Sequence, residues 1–190
     1  KGNVSCNLSH ADLYGLHMMD TPFAGSLKAR LDFASDFKYT HRLTGFIGNL
    51  VIDDKNKVYH AGDITLDVAT RRDSTHAVVN CGDFQLHLEG HGYYDRLLSE
   101  SQHFMKELQR QLKNRKINQV MLRKRLPNAR LFLRSGKDNF FVHMLNRYGY
   151  QFARANVDMY SSPILGLNGN LQIDSLIADS MQLDTIKFRI

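Results

Sequence analysis

A mainly β fold carrying two helices follows from three observations. Short Gly-led segments recur along the chain, each alternates apolar with polar side chains, and two stretches replace that alternation with a helical period. The recurring segments are "GSLKARLDF" at 25, "GDITLDV" at 62, "GDFQLHLEG" at 82 and "GNLQIDSL" at 169, with "GFIGNLVID" at 45 as a degenerate copy. In that copy Ile47 and Val51 keep the register, but Asn49 falls where an apolar residue is expected. The first four glycines stand 20, 17 and 20 residues apart. This is about twice the roughly 8–12-residue spacing of consecutive short strands, so each unit has room for two strands and two turns.

Successive side chains of a strand point to opposite faces, so the alternation defines a dry side and a wet side. Leu27, Leu31, Phe33, Ile64, Leu66, Val68, Phe84, Leu86, Leu88, Leu171 and Ile173 fall on the dry side, while Lys28, Arg30, Asp32, Asp67, Gln85, His87 and Asp174 fall opposite. A sheet covered on one face only is expected, with something apolar against that face. From Tyr94 to Lys113, Leu97, Leu98, Phe104, Leu108 and Leu112 recur at helical spacing. A shorter helix opens at Asp138 as N-cap, runs through "NFFVHMLNRY" and ends at Gly149. Between the helices, "NQVMLRKRLPNARLFLRSGK" predicts one or two strands with a turn near Pro127 and Asn128, and further strands follow Gly149. The organisation expected is β repeats over 1–92, a helix and basic connection over 93–137, and a short helix followed by β repeats over 138–190.

Composition narrows the function classes. With 43% hydrophobic and 23% charged residues, the chain is ordinary for a globular domain, and no run approaches the roughly 18 apolar residues of a membrane-spanning helix. It begins "KGNVSCNLS" without a signal-peptide pattern and stops within the strand pattern "LDTIKFRI", so a fragment of a longer protein is expected. Cys6 and Cys81 have neither CxxC nor Cys/His zinc spacing, which leaves one disulfide or none. The net charge of +6 is concentrated: eleven Lys or Arg against Glu107 alone give +10 between Lys106 and Lys137. Within that stretch Arg115, Lys116, Arg123, Lys124 and Arg125 are the candidates for contact with an anionic surface. No aromatic side chains interleave with them and no RNA-binding signature is present, so nucleic acid is not expected as a partner.

The one metal candidate is His87, Glu89 and His91 in "HLEGH", which share a strand face. The repeats argue against it, because the position of His87 is filled by Arg30, Asp67 and Asp174 in the other copies, as on a solvated face. Neither GxSxG nor a phosphate-binding GxxxxGK[ST] loop occurs, and His10, His17, His41, His60 and His76 have no acidic partner fixed by sequence. No catalytic residue and no cofactor is expected.

The segment "LRSGKDNFFVHMLNRYGYQFARANVDMYSSPILGLNGNLQIDSLIADSMQLDTIKFRI", together with the recurrent "GDFQLHLEG" strand, resembles the TamB family of translocation and assembly proteins in its Bacteroidota form. The matching features are the "SGKDN" loop before the short helix, "SP" followed by "GLNG", and the closing "DSMQLDTIKF"; the first 90 residues match as generic AsmA-like repeats. The resemblance implies an elongated, curled β-sheet with an apolar concave trough. It also implies a long cell-envelope protein, anchored in the inner membrane by an N-terminal helix outside this segment and reaching through the periplasm to an Omp85-type outer-membrane barrel. In that setting the eleven dry-face residues line a groove for phospholipid acyl chains, and the protein also supports outer-membrane protein assembly. The competing expectation is a closed structural or protein-interaction module whose groove is filled by its own helices.

Overall fold

A computed structural model describes residues 1–12, 15, 24–53, 58–178 and 181–189. It is mainly β, an open, curled antiparallel sheet of twelve strands with three helices. The strands are β1 (Gly2–Asp12), β2 (Ala24–Ser35), β3 (His41–Asp53), β4 (Val58–His60), β5 (Ile64–Thr70), β6 (Ser74–Cys81) and β7 (Phe84–His91), followed by β8 (Ala129–Ser135), β9 (Tyr150–Gln151), β10 (Arg154–Ser162), β11 (Gly166–Ala178) and β12 (Met181–Arg189). Their spatial order β1-β2-β3-β5-β6-β7-β8-β10-β11-β12 is a meander, with the short β4 paired to β3 and β9 paired to β11. Helices α1 (Tyr94–Lys113) and α2 (Gln119–Lys124) connect β7 to β8, and α3 (Phe140–Arg147) follows β8.

Opposed residues on neighbouring strands share a face, and the register turns local alternation into rows running across the sheet. Val4, Leu31, Gly45, Leu66, Val79, Leu86, Leu133, Val157, Leu171 and Phe188 lie opposite one another through ten strands. A parallel row runs through Phe33, Leu43, Val68, Ala77, Leu88, Leu131 and Met159.

The misfit at Asn49 has a structural cause. Asn49 adopts a left-handed conformation (φ 54°), and the β2–β3 register shifts between Ser26 and Lys28. This is a β-bulge, whose extra residue reverses the phase of the strand beyond it. Ile52, not Val51, consequently stands opposite Gly25, is fully buried, and continues the apolar face.

The long helix occupies the residues expected. The stretch before Pro127 does not form a strand: Asn118 caps α2 by accepting the Met121 N–H at 3.0 Å, and Gln119, Met121, Leu122, Arg123 and Lys124, none branched at Cβ and all helix-favouring, follow. The third helix begins one residue later than expected, because its cap is Asn139 and not Asp138. Asn139 is fully buried. Its amide donates to Asp83 Oδ1 at 2.7 Å, to Ser135 Oγ at 3.0 Å and to the Gly136 carbonyl at 3.2 Å, while its oxygen accepts the Val142 N–H at 3.0 Å. Asp83 belongs to the two-residue turn between β6 and β7, where Gly82 takes the positive φ of 57° that such hairpins favour. One side chain thus fastens α3 to the sheet.

Candidate functional site

The apolar face is the feature from which a function can be built. All eleven predicted dry-face residues lie on it. Ile64 and Phe84 are buried, Leu27, Leu31, Leu66, Val68, Leu86, Leu88, Leu171 and Ile173 are half-buried, and Phe33 is exposed. Cover comes from the two ends of the strands. At one end α3 closes over Ile64, Cys81 and Phe84, bringing Phe140 and Phe141 against them with Leu50, Val79 and Leu133. Phe141 lies 4.4 Å from Phe84 between ring centroids, and His143 stacks flat on Tyr59 of β4 at 4.0 Å. Burial raises the Cys81 thiol above its ordinary pKa.

The other end is held by α1. Its first N–H groups receive no side-chain cap from Tyr93. Instead the Thr70 hydroxyl accepts the Tyr94 N–H at 3.2 Å and bonds to the Thr75 hydroxyl at 2.9 Å, and Thr75 donates to the Gly92 carbonyl at 2.9 Å. Leu97 then drops onto Gly90, where a β-carbon would stand 2.3 Å from the leucine Cδ1. Between α1 and the sheet remains an apolar cleft of about 310 Å³, lined by Leu88, Tyr94, Leu97, Leu98, Pro127 and Ala129 among others.

The sequence pattern missed about half of this wall. Val79, Val157, Ile186 and Phe188 stand in the same rows, on strands that do not begin with glycine. Simple alternation in "NVDMY" and "TIKFR" marks two of those strands, but in "HAVVN" Val78 on the opposite face obscures it.

The other face is polar and stitched by exposed ion pairs: Arg42 to Asp67 at 2.8 Å, Arg130 to Asp158 at 3.5 Å, and Arg30 to Asp32 at 3.5 Å. Such exposed pairs are screened by solvent and contribute little to stability. A cavity of about 490 Å³ opens there beside His76, Glu89, His91, Arg130 and Tyr160. It is larger than the apolar cleft, but it lies across the sheet from the rows.

The metal candidate does not assemble. A rise of roughly 3.3 Å per residue sets His87 and His91 about 13 Å apart along the strand, too far to share one ion easily. His87 meets the Phe132 ring edge-on at 5.9 Å, and Glu89 turns to His76, 4.0 Å away. Among the described residues no three His, Cys, Asp or Glu side chains converge as metal ligands. His76 therefore has the acidic neighbour that its sequence position did not reveal, supplied by the β6–β7 register, and His17 lies outside the described residues. The two cysteines stand in one row but four strands apart, about 19 Å at roughly 4.8 Å per strand, and both are free thiols.

The basic candidates gather around the α1–α2 corner and are exposed: Arg115 and Lys116 in the connection, Arg123 and Lys124 on α2, and Arg125 at its end. Glu107 is buried beside them. Hydrogen bonds from Arg110 and then Gln111 hold its carboxyl down at about 2. Among the described residues, no helix is long and apolar enough to cross a membrane.

Comparisons with protein-family models, curated proteins and solved structures return no match to this chain. Fold and site together define a class by geometry: an open antiparallel sheet that presents one apolar face, roofed at its two ends and half-covered between them.

Proposed function

We propose that this chain is a non-enzymatic, periplasmic segment of a TamB-like envelope protein that conducts phospholipids between inner and outer membranes and supports outer-membrane protein assembly. The inner-membrane anchor and the Omp85-type partner belong to the full-length protein. The observation that carries this reading is the apolar row from Val4 to Phe188 across ten strands. At about 4.8 Å per strand its contour is about 43 Å, longer than the roughly 30 Å hydrocarbon core of a bilayer.

Surface area supports an open sheet. The chain exposes 13,171 Å², against about 9,300 Å² expected for a compact monomer of its mass. Acyl chains provide the missing cover: each methylene costs about 0.8 kcal/mol in water, so an exposed run of ~14 costs about 11 kcal/mol. A half-covered row holds each methylene weakly and evenly, which suits passage more than storage.

The test is lipid extraction from protein purified after export to a bacterial periplasm. Phospholipid is expected to accompany the protein. Val157→Asp and Leu171→Asp lower the yield while His87→Asp, on the polar face, leaves it unchanged. Equal lipid in all four proteins, or none in any, overturns the reading; unfolding of both trough variants favours the closed module.

A further inference from the structure

Exposed large apolar side chains are ordinary one at a time, but here six stand on four connected segments. Leu112 ends α1, Ile117 sits in the connection, Val120 and Met121 lie on α2, and Ile164 and Leu165 form the β10–β11 turn; all are between 41% and 78% exposed. They are held together, not scattered on mobile loops. Gln111 Oε1 accepts the Asn118 N–H at 2.5 Å to close the α1–α2 corner, and Arg123 Nε donates to the Pro163 carbonyl at 3.3 Å to fix α2 to the turn. Leu126, just beyond α2, is buried, so the outward position of Val120 and Met121 leaves an inner side already satisfied.

The charge around this patch is mostly positive, and Glu100, which lines a shared pocket with Lys124, Arg125 and Pro163, is paired with Arg96 at 2.7 Å. Lys113, Arg115, Lys116 and Lys124 are exposed within and beside it, and Glu107, the stretch's one acid, is occupied by Arg110 and Gln111. An apolar surface rimmed by cations is complementary to an anionic bilayer, where side chains enter the headgroup boundary and Lys and Arg meet phosphates. A protein partner of the same affinity requires a matched apolar pocket and an acidic rim; a second copy of this corner repels through its like charges.

We infer that the α1–α2 corner, together with the β10–β11 turn, is a membrane-docking element for anionic lipid surfaces. This goes beyond conduction. The corner lies at the strand ends where β7 and β10 finish and β8 and β11 begin, at the border of the apolar face, so docking brings the end of that face up to the headgroups.

The experiment is flotation of the 190-residue chain with vesicles of phosphatidylethanolamine and phosphatidylglycerol, and separately of phosphatidylcholine alone. Binding is expected to the anionic vesicles and to fall with added salt. Lys116→Gln with Lys124→Gln weakens it about 25-fold, about five-fold per charge. Ile117→Ser with Val120→Ser weakens it at least about ten-fold, from lost apolar insertion. These positions are exposed, so circular dichroism stays that of the parent. Absence of binding to anionic vesicles, or binding that neither pair alters, overturns the inference. So does sedimentation showing a dimer that the Ile117/Val120 pair dissociates without changing vesicle binding, which makes the patch a self-interface. Val157→Asp leaves vesicle binding unchanged, so loss of the conduit and loss of the corner are separable.

Discussion

Removing the Asn139 side chain is predicted to detach α3 from the sheet. Asn139→Ala deletes the cap of the helix and three amide donations into the β6–β7 turn, the end of β8 and the loop after it. The cap is worth about 1 kcal/mol, and the shorter bonds to the Asp83 carboxylate and to the buried Ser135 hydroxyl about 1 kcal/mol each. A loss of about 3 kcal/mol follows, roughly a 150-fold fall in the folded-to-unfolded ratio. Asn139→Asp is a sharper probe: it keeps the capping oxygen but places a carboxylate where the amide met Asp83. Like-charge repulsion and burial raise the folded pKa of that new acid. Its penalty is therefore smallest at low pH and grows as pH rises above about 4, the opposite of an ordinary paired carboxylate. Urea midpoints read by circular dichroism, with amide exchange at Val142, measure both variants. A cost below about 0.5 kcal/mol for each, or no pH dependence of the Asp variant, refutes the reasoning.

Two further outcomes follow from the other end of the sheet. Gly90→Val sets a side chain into the space of Leu97, where even a β-carbon is 2.3 Å from Cδ1; a cost of about 1–3 kcal/mol is expected, with α1 amides exchanging faster and those of α3 unchanged. Glu107, held down at about 2 from an ordinary 4.5, contributes stability above pH 4.5 that is lost as pH falls towards 2. Asp36 titrates over a similar range because the backbone N–H groups of Thr40, Lys38 and Tyr39 hold it at about 2, so the measurement is the difference between wild type and Glu107→Gln in helical signal over that acid window.

How much of this was legible in the sequence depends on how local each cause is. Alternation and helical period are local, so the dry face and the limits of α1 could be read directly. The α2 segment reads as a strand because Val120, Met121 and Leu122 suit a short strand in isolation, and only the Asn118 cap distinguishes a six-residue helix. At Asn49 a bulge reverses the phase, which no pattern of strict alternation anticipates. The rows themselves arise from register between strands distant in sequence, and so did the pairing of His76 with Glu89. In sequence Asn139 reads as a neighbour of the cap; its partner Asp83 lies 56 residues away, beyond any local pattern.

The central claim is that acyl chains occupy the apolar rows, and site-specific photocrosslinking tests it most directly. A photoreactive residue is placed at Leu66 or Leu86, both in the ten-strand row, and at His87 on the opposite face as control, followed by mass spectrometry of the adducts. The account predicts phospholipid adducts at Leu66 and Leu86 and none at His87. Capture only of the protein's own α1 or α3 at the two leucines would contradict it.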